Sequence, residues 1–320
     1  MTSRNELAAC APGGKTTPRS IILSSMDLRN KAAVYTLPGT ATISIEELPV
    51  PDPEQGQILV KLSHSGGDFE GQVGGHEGVG VVVAHGRDVS SPPIGTRVGI
   101  KWLADVCGSC DACLEGDDNT CAHQKISGYY TPGTFQQYVI TSAKYATPIP
   151  DEVRSAEAAP ILCAGLTVYS ALLKSNTSPG DWIVISGAGG GLGHLAVQYA
   201  SRVMGLRVIA IDHGSKKDLA ESCGAEIFFD FTKYTDVELA AAVKQATNNG
   251  RGANAVLVVN AANKAYELAL LFLKPMGTLV CVGMPEGQPV PIQSAYPARI
   301  TNQQFRIVGQ YSSITPNPRE

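Results

Sequence analysis

Four cysteines lie within one short stretch of the sequence, CGSCDACLEGDDNTC, and their spacing is typical of a metal site. They are Cys107, Cys110, Cys113 and Cys121. Four thiolates so close together can surround one tetrahedral zinc ion, which lowers their pKa values and keeps them ionised. Because such a site has no open coordination position, we expect it to stabilise a lobe and to do no chemistry. Disulfides and an iron–sulfur cluster are the alternative uses of the same residues.

A histidine and a glutamate stand side by side in the glycine-rich segment GGHEGVGVVV, at His76 and Glu77. The valines that follow predict a strand, so the pair lies where a metal ligand could enter a β-sheet. Imidazole and carboxylate are both side chains that zinc accepts as ligands.

A glycine-rich turn separates an apolar segment from a segment with helical periodicity. The turn comprises Ala188, Gly189, Gly190, Gly191, Leu192 and Gly193, with alanine at the usual first glycine. Small residues let the backbone approach a pyrophosphate, whose charge is favoured by the amides of the following helix. Asp212 closes the next predicted strand, where an acid would bind the ribose hydroxyls of NAD and repel the 2′-phosphate of NADP. An αβ unit without a nucleotide is the alternative.

These candidate residues are positioned by two kinds of predicted structure. Between residues 30 and 150, short segments rich in Val, Ile, Thr and Tyr are separated by turn residues, which predicts a β-barrel or sandwich. After residue 150, helical and apolar segments alternate, as in a parallel sheet covered by helices. We predict an α/β protein with a tail at residues 1–29, a β domain at residues 30–155 and a nucleotide-binding domain at residues 156–320.

Composition and charge exclude several classes of partner. The 320-residue chain is 43% hydrophobic and 17% charged, as in a folded soluble protein. Its net charge of −4 gives no footprint for nucleic acid, and we find no hydrophobic run near the roughly 20 residues that cross a bilayer. We therefore expect a small-molecule partner. Residues 1–28 contain no secretory segment, which predicts a cytoplasmic protein, with the mitochondrial matrix as the alternative.

Seven motifs follow one another along the chain: GGHEGVGVVV, VGIKWL before the four cysteines, SGYYTPGTFQQY, APILCAGLTVYSAL, ISGAGGGLGHLAVQYA, AIDHGSKKDLAESCGAEIFFDFTK and VGMPEG. In this order they resemble the medium-chain zinc-dependent alcohol dehydrogenases, and most of all the fungal ethanol-type enzymes. The resemblance runs from about residue 30 to the end of the chain. It implies a chaperonin-10-like (GroES-like) β-barrel catalytic domain, a Rossmann doubly wound parallel sheet, and a homo-oligomer, dimer or tetramer, formed through the coenzyme domain.

The resemblance implies hydride transfer between a primary or secondary alcohol and NAD, which gives an aldehyde or ketone. It assigns His76 and Cys163 as ligands of a catalytic zinc ion and Glu77 as an adjacent acid that can approach the metal. Thr167 matches a residue beside the nicotinamide, and Trp102 resembles an aromatic wall of a narrow substrate pocket. Zinc that activates an alcohol needs three protein ligands and one open position.

The resemblance also assigns residues to the coenzyme. Asp212 matches the acid that binds the adenosine ribose, and Lys217 matches a lysine that supports the same ribose. Val282, Gly283 and Met284 match the strand-end segment that meets the nicotinamide carboxamide.

The chain departs from the family pattern just before His76. The family has a cysteine there, which is its first catalytic zinc ligand, and a Ser or Thr that relays the proton; here the segment between Ser65 and His76 is shorter and has neither. The chain also stops before the helices and strand that complete the family's catalytic domain, so we expect an incomplete barrel. The candidate substitutes for the absent ligand are Glu77, Asp68, Glu70 and His64.

Three interpretations follow from these departures. The first is an active alcohol dehydrogenase whose zinc is held by a substitute ligand. The second is an NAD-binding protein without dehydrogenase activity. The third is a product of altered splicing or an imperfect gene model, because both losses interrupt otherwise well-matched motifs. A zinc-free quinone or enoyl reductase is disfavoured, since those relatives usually lack the four-cysteine lobe.

Overall fold

The computed structural model describes residues 29–36, 42–64 and 73–311. Structural statements below concern these residues. The predicted tail at residues 1–29 lies outside them, apart from Arg29 at the start of the first strand.

The amino-terminal half consists of short antiparallel strands. The elements there are β1 (Arg29–Tyr35), β2 (Ile43–Pro49), β3 (Gln57–His64), β4 (Gly78–His85), β5 (Arg97–Ile100), β6 (Leu103–Asp105), α1 (Asp111–Glu115), β7 (Lys125–Ile126), β8 (Tyr138–Ser142) and β9 (Thr147–Pro148). Five strands form one sheet in the order β8-β3-β4-β5-β9, whereas β1 pairs with β2 and β6 with β7. The prediction of short strands over this region is confirmed.

One face of the five-stranded sheet forms a core. Ile58 and Val60 of β3 are buried together with Val82 of β4 and with Val98 and Ile100 of β5. Side chains two residues apart point to the same face of a strand, so this spacing places them in one layer. The core fixes the position of β4, which begins directly after the histidine and glutamate.

A helical run of 20 residues links the amino-terminal half to the second sheet. It consists of α2 (Ser155–Pro160), one π-helical turn (Ile161–Gly165) and α3 (Leu166–Lys174). The predicted domain boundary between residues 155 and 156 falls in its first turn and stays a prediction. Leu162 packs with Val79 of β4. Leu172, almost three helical turns further along the run, belongs to the core of the second sheet.

This run has the dimensions of a membrane span, which corrects the expectation that no hydrophobic run is long enough. It is long and apolar enough to cross a bilayer by length and composition. Half of an 18-residue apolar stretch within it is buried inside the structure, against both sheets. We therefore interpret the run as a core helix that connects the two halves.

The carboxyl-terminal half is a parallel sheet with helices on both faces. Its elements are β10 (Trp182–Ser186), α4 (Gly191–Gln198), β11 (Arg207–Asp212), α5 (Lys217–Cys223), β12 (Ile227–Asp230), α6 (Asp236–Ala246), β13 (Ala253–Val258), α7 (Asn263–Phe272), β14 (Leu273–Cys281), α8 (Pro297–Gln303) and β15 (Arg306–Gly309). The strand order is β12-β11-β10-β13-β14-β15, and every neighbouring pair is parallel. This is the doubly wound order of the Rossmann fold, so the α/β fold predicted from the sequence is confirmed.

Each face of the parallel sheet has its own core. Helices α3, α4 and α5 cover one face, where Val197 and Ala220 are fully buried. Helices α6 and α7 cover the other, where Val243 and Leu270 are buried. Burial on both faces explains why the strands read as nearly continuous apolar segments.

We predict that Leu162→Ala destabilises the protein by about 2–5 kcal/mol. Leu162 is 4% exposed and lies against Gly99 of β5, so its truncation leaves a cavity between the helical run and the five-stranded sheet, hereafter the barrel sheet. Leu173→Ala is the control, because Leu173 belongs to the same run but is 50% exposed. Urea unfolding followed by circular dichroism measures both variants. Equal unfolding midpoints would contradict this packing.

Candidate active site

Three side chains from distant parts of the sequence meet at one point. His76 and Glu77 precede β4, and Cys163 lies in the π-helical turn of the linking run. Nε2 of His76 is 3.2 Å from Sγ of Cys163, and one ligand atom from each of the three residues lies within 4.8 Å of the other two. The structure therefore brings together the three residues predicted to hold a catalytic metal.

Burial disfavours the charged form of all three side chains. It lowers the pKa of His76, and it raises the pKa of Glu77 in spite of hydrogen bonds from the Ala164 amide and from Cys163. Burial and the neighbouring Glu77 carboxylate raise the pKa of the Cys163 thiol to about 12. A cation bound among these groups would stabilise thiolate and carboxylate together.

This donor set fits a zinc ion with one open position. Imidazole nitrogen, thiolate sulfur and carboxylate oxygen are all zinc ligands, and three of them leave the fourth tetrahedral position for a substrate. Of the predicted substitutes for the absent cysteine, Glu77 is the one that the structure places in the cluster. Asp68 and Glu70 lie outside the described residues, and of His64 only the backbone is described.

The four cysteines form a second metal-type cluster. The Sγ atoms are 3.5 Å apart for Cys110 and Cys113, 3.6 Å for Cys107 and Cys121, and 3.9 Å for Cys107 and Cys113. Sulfurs bound to one tetrahedral zinc at about 2.3 Å are roughly 3.8 Å from one another, whereas a disulfide bond is about 2.05 Å long. Amides of Ser109 and Cys110 lower the pKa of Cys107 to about 6, whereas burial raises the pKa of Cys113 to about 12.

The four-cysteine lobe is held to the barrel sheet at its base. Strands β6 and β7 pair where the lobe begins and ends. Oη of Tyr145 donates a buried hydrogen bond of 2.8 Å to Oδ2 of Asp118, inside the lobe. The amide of Ser127 donates to the carbonyl of Trp102 at 2.9 Å, which fixes Trp102 directly before β6.

Aromatic rings lie beside the histidine. The rings of His76 and Trp102 meet edge to face, with centroids 4.8 Å apart. The rings of Tyr129 and Tyr311 lie 5.2 Å and 6.0 Å from that of Trp102. The structure thus places Trp102 next to the metal-type cluster, as a pocket wall requires. The two tyrosines were not predicted, because they follow the lobe and β15 at positions that no local pattern marks.

A groove of about 770 Å³ runs from the three-residue cluster along the carboxyl edge of the parallel sheet. Glu77 and Cys163 line one end, and Asp212 and Phe231 line the other. Strand β10 lies between β11 and β13. The strands that follow it in the chain lie first on one side of it, as β11 and β12, and then on the other, as β13 to β15, so the strand order reverses at β10. Such a switch point is where doubly wound sheets bind ligands.

Four residues of the predicted glycine-rich turn line this groove: Gly190, Gly191, Leu192 and Gly193. Helix α4 begins there, so its amino end and its free amides lie at the groove. A Cβ on Gly193 would lie 2.0 Å from the carbonyl oxygen of Gly187, so only glycine permits this approach of helix and strand.

The other two turn residues have different environments. Ala188 is fully buried in the core of the sheet. The amide of Gly189 donates to Oδ2 of Asp212 at 2.7 Å, which ties the turn to the end of β11. Gly187 lines the groove instead, with a φ of 87° that favours glycine. The contacts of the predicted turn, Ala188 to Gly193, with a coenzyme stay a prediction.

Lys216, rather than Lys217, lies at the groove. The side chain of Lys216 packs over Gly189 and lines the groove beside Asp212. Lys217 is exposed and forms an ion pair with Glu221 one turn later in α5. Lys216 therefore lines the groove, whereas the contact of Lys217 with the adenosine ribose stays a prediction. Two consecutive lysines gave the sequence no means of distinguishing them.

The segment Val282, Gly283 and Met284 follows the carboxyl end of β14. Amides of Val282 and Gly283 donate to the carbonyl of Val258, and Met284 is 69% exposed. Thr167 is buried in the first turn of α3, four residues after Cys163. The contacts of these four residues with nicotinamide stay predictions.

The residues that line the groove without having been predicted include Phe231, Asn260 and Lys264. Phe231 follows β12, and Asn260 follows β13 and donates to Ser186. Each lies just beyond the carboxyl end of a parallel strand, which is the signal that could have identified them. Lys264 lies in the first turn of α7 and pairs with Asp236 and Glu267.

The doubly wound sheet, its groove and the two metal-type clusters define a dinucleotide-binding oxidoreductase with metal sites. Residues 55–151 match the model of the alcohol dehydrogenase GroES-like domain, and residues 191–315 match that of the zinc-binding dehydrogenases. The chain belongs to the medium-chain zinc-dependent alcohol dehydrogenase family. The predicted combination of a GroES-like domain and a Rossmann sheet is confirmed.

Individual relatives agree with this assignment. Alcohol dehydrogenase 2 of Emericella nidulans is 50% identical over 305 residues, covering 88% of this chain and 83% of that protein. An alcohol dehydrogenase of Schizosaccharomyces pombe is 45% identical over 277 residues, or 82% and 78% of the two chains. The structure of acetophenone reductase from Geotrichum candidum in complex with NAD is 27% identical, with a TM-score of 0.75 over 90% of this chain and 84% of that one.

We predict that Asp212→Asn weakens NADH binding by about tenfold and reduces the preference over NADPH. A carboxylate at this position would accept hydrogen bonds from the ribose hydroxyls and repel a 2′-phosphate, and an amide would do neither as well. Fluorescence titration with NADH and with NADPH measures both effects without turnover. Asp218→Asn is the matched control, an exposed acid on α5. If both variants keep the affinities of the unmodified protein, Asp212 does not bind the ribose.

Proposed function

We propose that this protein is an NAD-dependent zinc alcohol dehydrogenase that interconverts primary alcohols and aldehydes, with secondary alcohols and ketones as a wider substrate range. The observation that carries the proposal is the continuous groove, which has Glu77 and Cys163 at one end and Asp212 at the other. A coenzyme in the groove would place its reacting end beside a substrate at the three-residue cluster. The names of the fungal relatives support the same reaction.

In this proposal His76, Glu77 and Cys163 hold the catalytic zinc ion. Zinc bound there supplies a Lewis acid that polarises the alcohol or carbonyl oxygen. The chain's own residues position the reactants: the amino end of α4 faces the coenzyme phosphates, and Trp102 limits the space beside His76. The three side chains are half-buried, which lowers the effective dielectric constant around them and so strengthens the charge interactions inside the cluster.

The four-cysteine lobe holds a second, structural zinc ion in the same proposal. All four ligand positions are filled by sulfur, so the lobe offers no place for a substrate. The lobe fixes the positions of Trp102 and of the tyrosines that follow β7.

The competing function is NAD binding without turnover. The absent cysteine and relay hydroxyl favour it, whereas the convergence of three ligand groups on the groove and the relatives' names do not. An altered transcript, as the source of the short segment before His76, is tested by sequencing the message. The homo-oligomer and the cytoplasmic or mitochondrial location also stay predictions.

We predict two zinc ions per chain in the purified protein and one in Cys163→Ser and in His76→Ala. Each substitution removes one of three ligands, so the open site loses its metal while the four-cysteine lobe keeps its own. Elemental analysis counts the zinc, and NADH formation from ethanol measures turnover, which we expect both variants to lose. Cys281→Ser is the control, a half-buried thiol outside both clusters.

Two results would contradict the proposal in different ways. Undiminished turnover in Cys163→Ser would exclude the zinc mechanism. One zinc ion per chain in the unmodified protein, with NADH binding but no turnover, would establish the competing function.

We predict that Glu77→Gln loses the catalytic zinc ion, whereas Asp68→Asn and Glu70→Gln keep it. A neutral amide is a much poorer zinc ligand than a carboxylate, and Glu77 is the acid within 4.8 Å of the other two ligand atoms. The three variants remove one negative charge each, so they are matched controls for one another. Zinc content after dialysis distinguishes them. Loss of zinc in Asp68→Asn or Glu70→Gln, with retention in Glu77→Gln, would assign the third ligand to the other acid.

A further inference from the structure

A second groove lies at the amino edge of the parallel sheet, opposite the edge that forms the coenzyme groove. Its volume is about 460 Å³. The start of β14 and the residue before β15 line it, which places it at the amino ends of these strands. Its polar groups come from α6 and from the region of α8: Lys244, Tyr296, Arg299, Asn302 and Gln303.

The groove carries two cations and, among the described residues that line it, no acid. Lys244 and Arg299 are both half-buried. The ion pairs within residues 29–36, 42–64 and 73–311 involve other cations, so neither side chain is neutralised by a described carboxylate. Two like charges that share a partly buried groove repel each other, and an anion between them removes that cost.

Further cations lie at the amino ends of β13, β14 and β15, whereas the acids of the same edge, Asp181 and Glu226, precede β10 and β12. Arg251 precedes β13, Lys274 lies near the start of β14, and Arg306 begins β15. None of the three is paired with an acid in the part of the chain that the structure describes. The net charge of the whole chain is −4, so this concentration of cations is local and opposite to the average.

Helix dipoles account for only part of this arrangement. Lys244 lies in the last turn of α6, where a cation is favoured by the helix carboxyl end. Arg299 lies in the first turn of α8, where the dipole disfavours a cation. The carboxyl ends of α6 and α7 each supply about −0.5 of a charge, so together they balance about one of the two groove cations. The groove keeps a positive charge that the described residues leave unmatched.

We propose that this groove binds a phosphate group, as inorganic phosphate or a small phosphate monoester. A guanidinium fork and an ammonium group are the two side chains that bind phosphate oxygens best, and Asn302 and Gln303 add neutral amide donors. The groove is on the opposite edge of the sheet from the coenzyme, so both can be bound together. The site is independent of the proposed dehydrogenase activity.

The test is titration of the full chain with inorganic phosphate by calorimetry, in saturating NADH and at constant ionic strength. NADH fills the glycine-rich turn, which would otherwise bind phosphate itself. We expect saturable binding that weakens by about tenfold or more in Arg299→Gln, because a charged hydrogen-bond donor is lost. Arg87→Gln, an exposed arginine of the other half, is the control and should bind as the unmodified chain does.

Glycerol 3-phosphate is the second arm, and tighter binding than that of inorganic phosphate would assign the site to monoesters. An unchanged melting temperature and NADH affinity of Arg299→Gln in the absence of phosphate show that the variant is folded. Equal weakening in Arg299→Gln and Arg87→Gln, or no saturable binding, would overturn the proposal. A molecular mass of Arg299→Gln that differs from that of the unmodified chain in sedimentation, and that phosphate does not alter, would also overturn the proposal. The cations would then contact a second copy of the chain.

Discussion

The geometry of the catalytic cluster depends on one packing constraint, which is that a single helical run must fit against both sheets at once. Leu162 meets the barrel sheet and Leu172 the parallel sheet, so the residues between them cannot shift along either surface without opening a cavity. Cys163 lies in the π-helical turn of that run, and π turns often occur at functional sites. The 3.2 Å approach of its sulfur to His76 is therefore a consequence of core packing, and not of any local preference near the histidine.

Electrostatics explains how the cluster can tolerate the loss of the family's first cysteine. Two thiolates and a neutral imidazole carry a charge of −2, which balances Zn²⁺; so do one thiolate, one carboxylate and the same imidazole. Exchange of cysteine for Glu77 keeps this balance and replaces a soft sulfur by a hard oxygen. Without a cation, burial shifts the pKa values of Glu77 and Cys163 towards their neutral forms, so the protein alone does not stabilise the charges that the metal requires.

Much of this arrangement could be predicted from the sequence, and the exceptions have physical causes. The fold class follows from alternating apolar segments, and the four-cysteine lobe follows from spacing, because both signals are local. The meeting of His76 with Cys163 came from family resemblance, since 87 residues separate them and no periodicity links them. Lys216 was missed because the choice between adjacent lysines depends on the helix phase at the start of α5, and Tyr311 because it reaches Trp102 only through tertiary structure.

The coenzyme groove and the metal-type clusters are supplied by separate parts of the chain. A change in one part can therefore leave the geometry of the other unaltered. Beyond its end at the three-residue cluster, the groove is lined by described residues between 186 and 272, whereas the metal-type clusters come from residues 76 to 163. The two sets of residues meet at the end of the groove that Glu77 and Cys163 line. A change confined to the segment before His76 therefore acts on the metal and substrate while the amino end of α4 and Asp212 keep their geometry. Coenzyme affinity and zinc content are for this reason independent measures of the same molecule, and only turnover requires both.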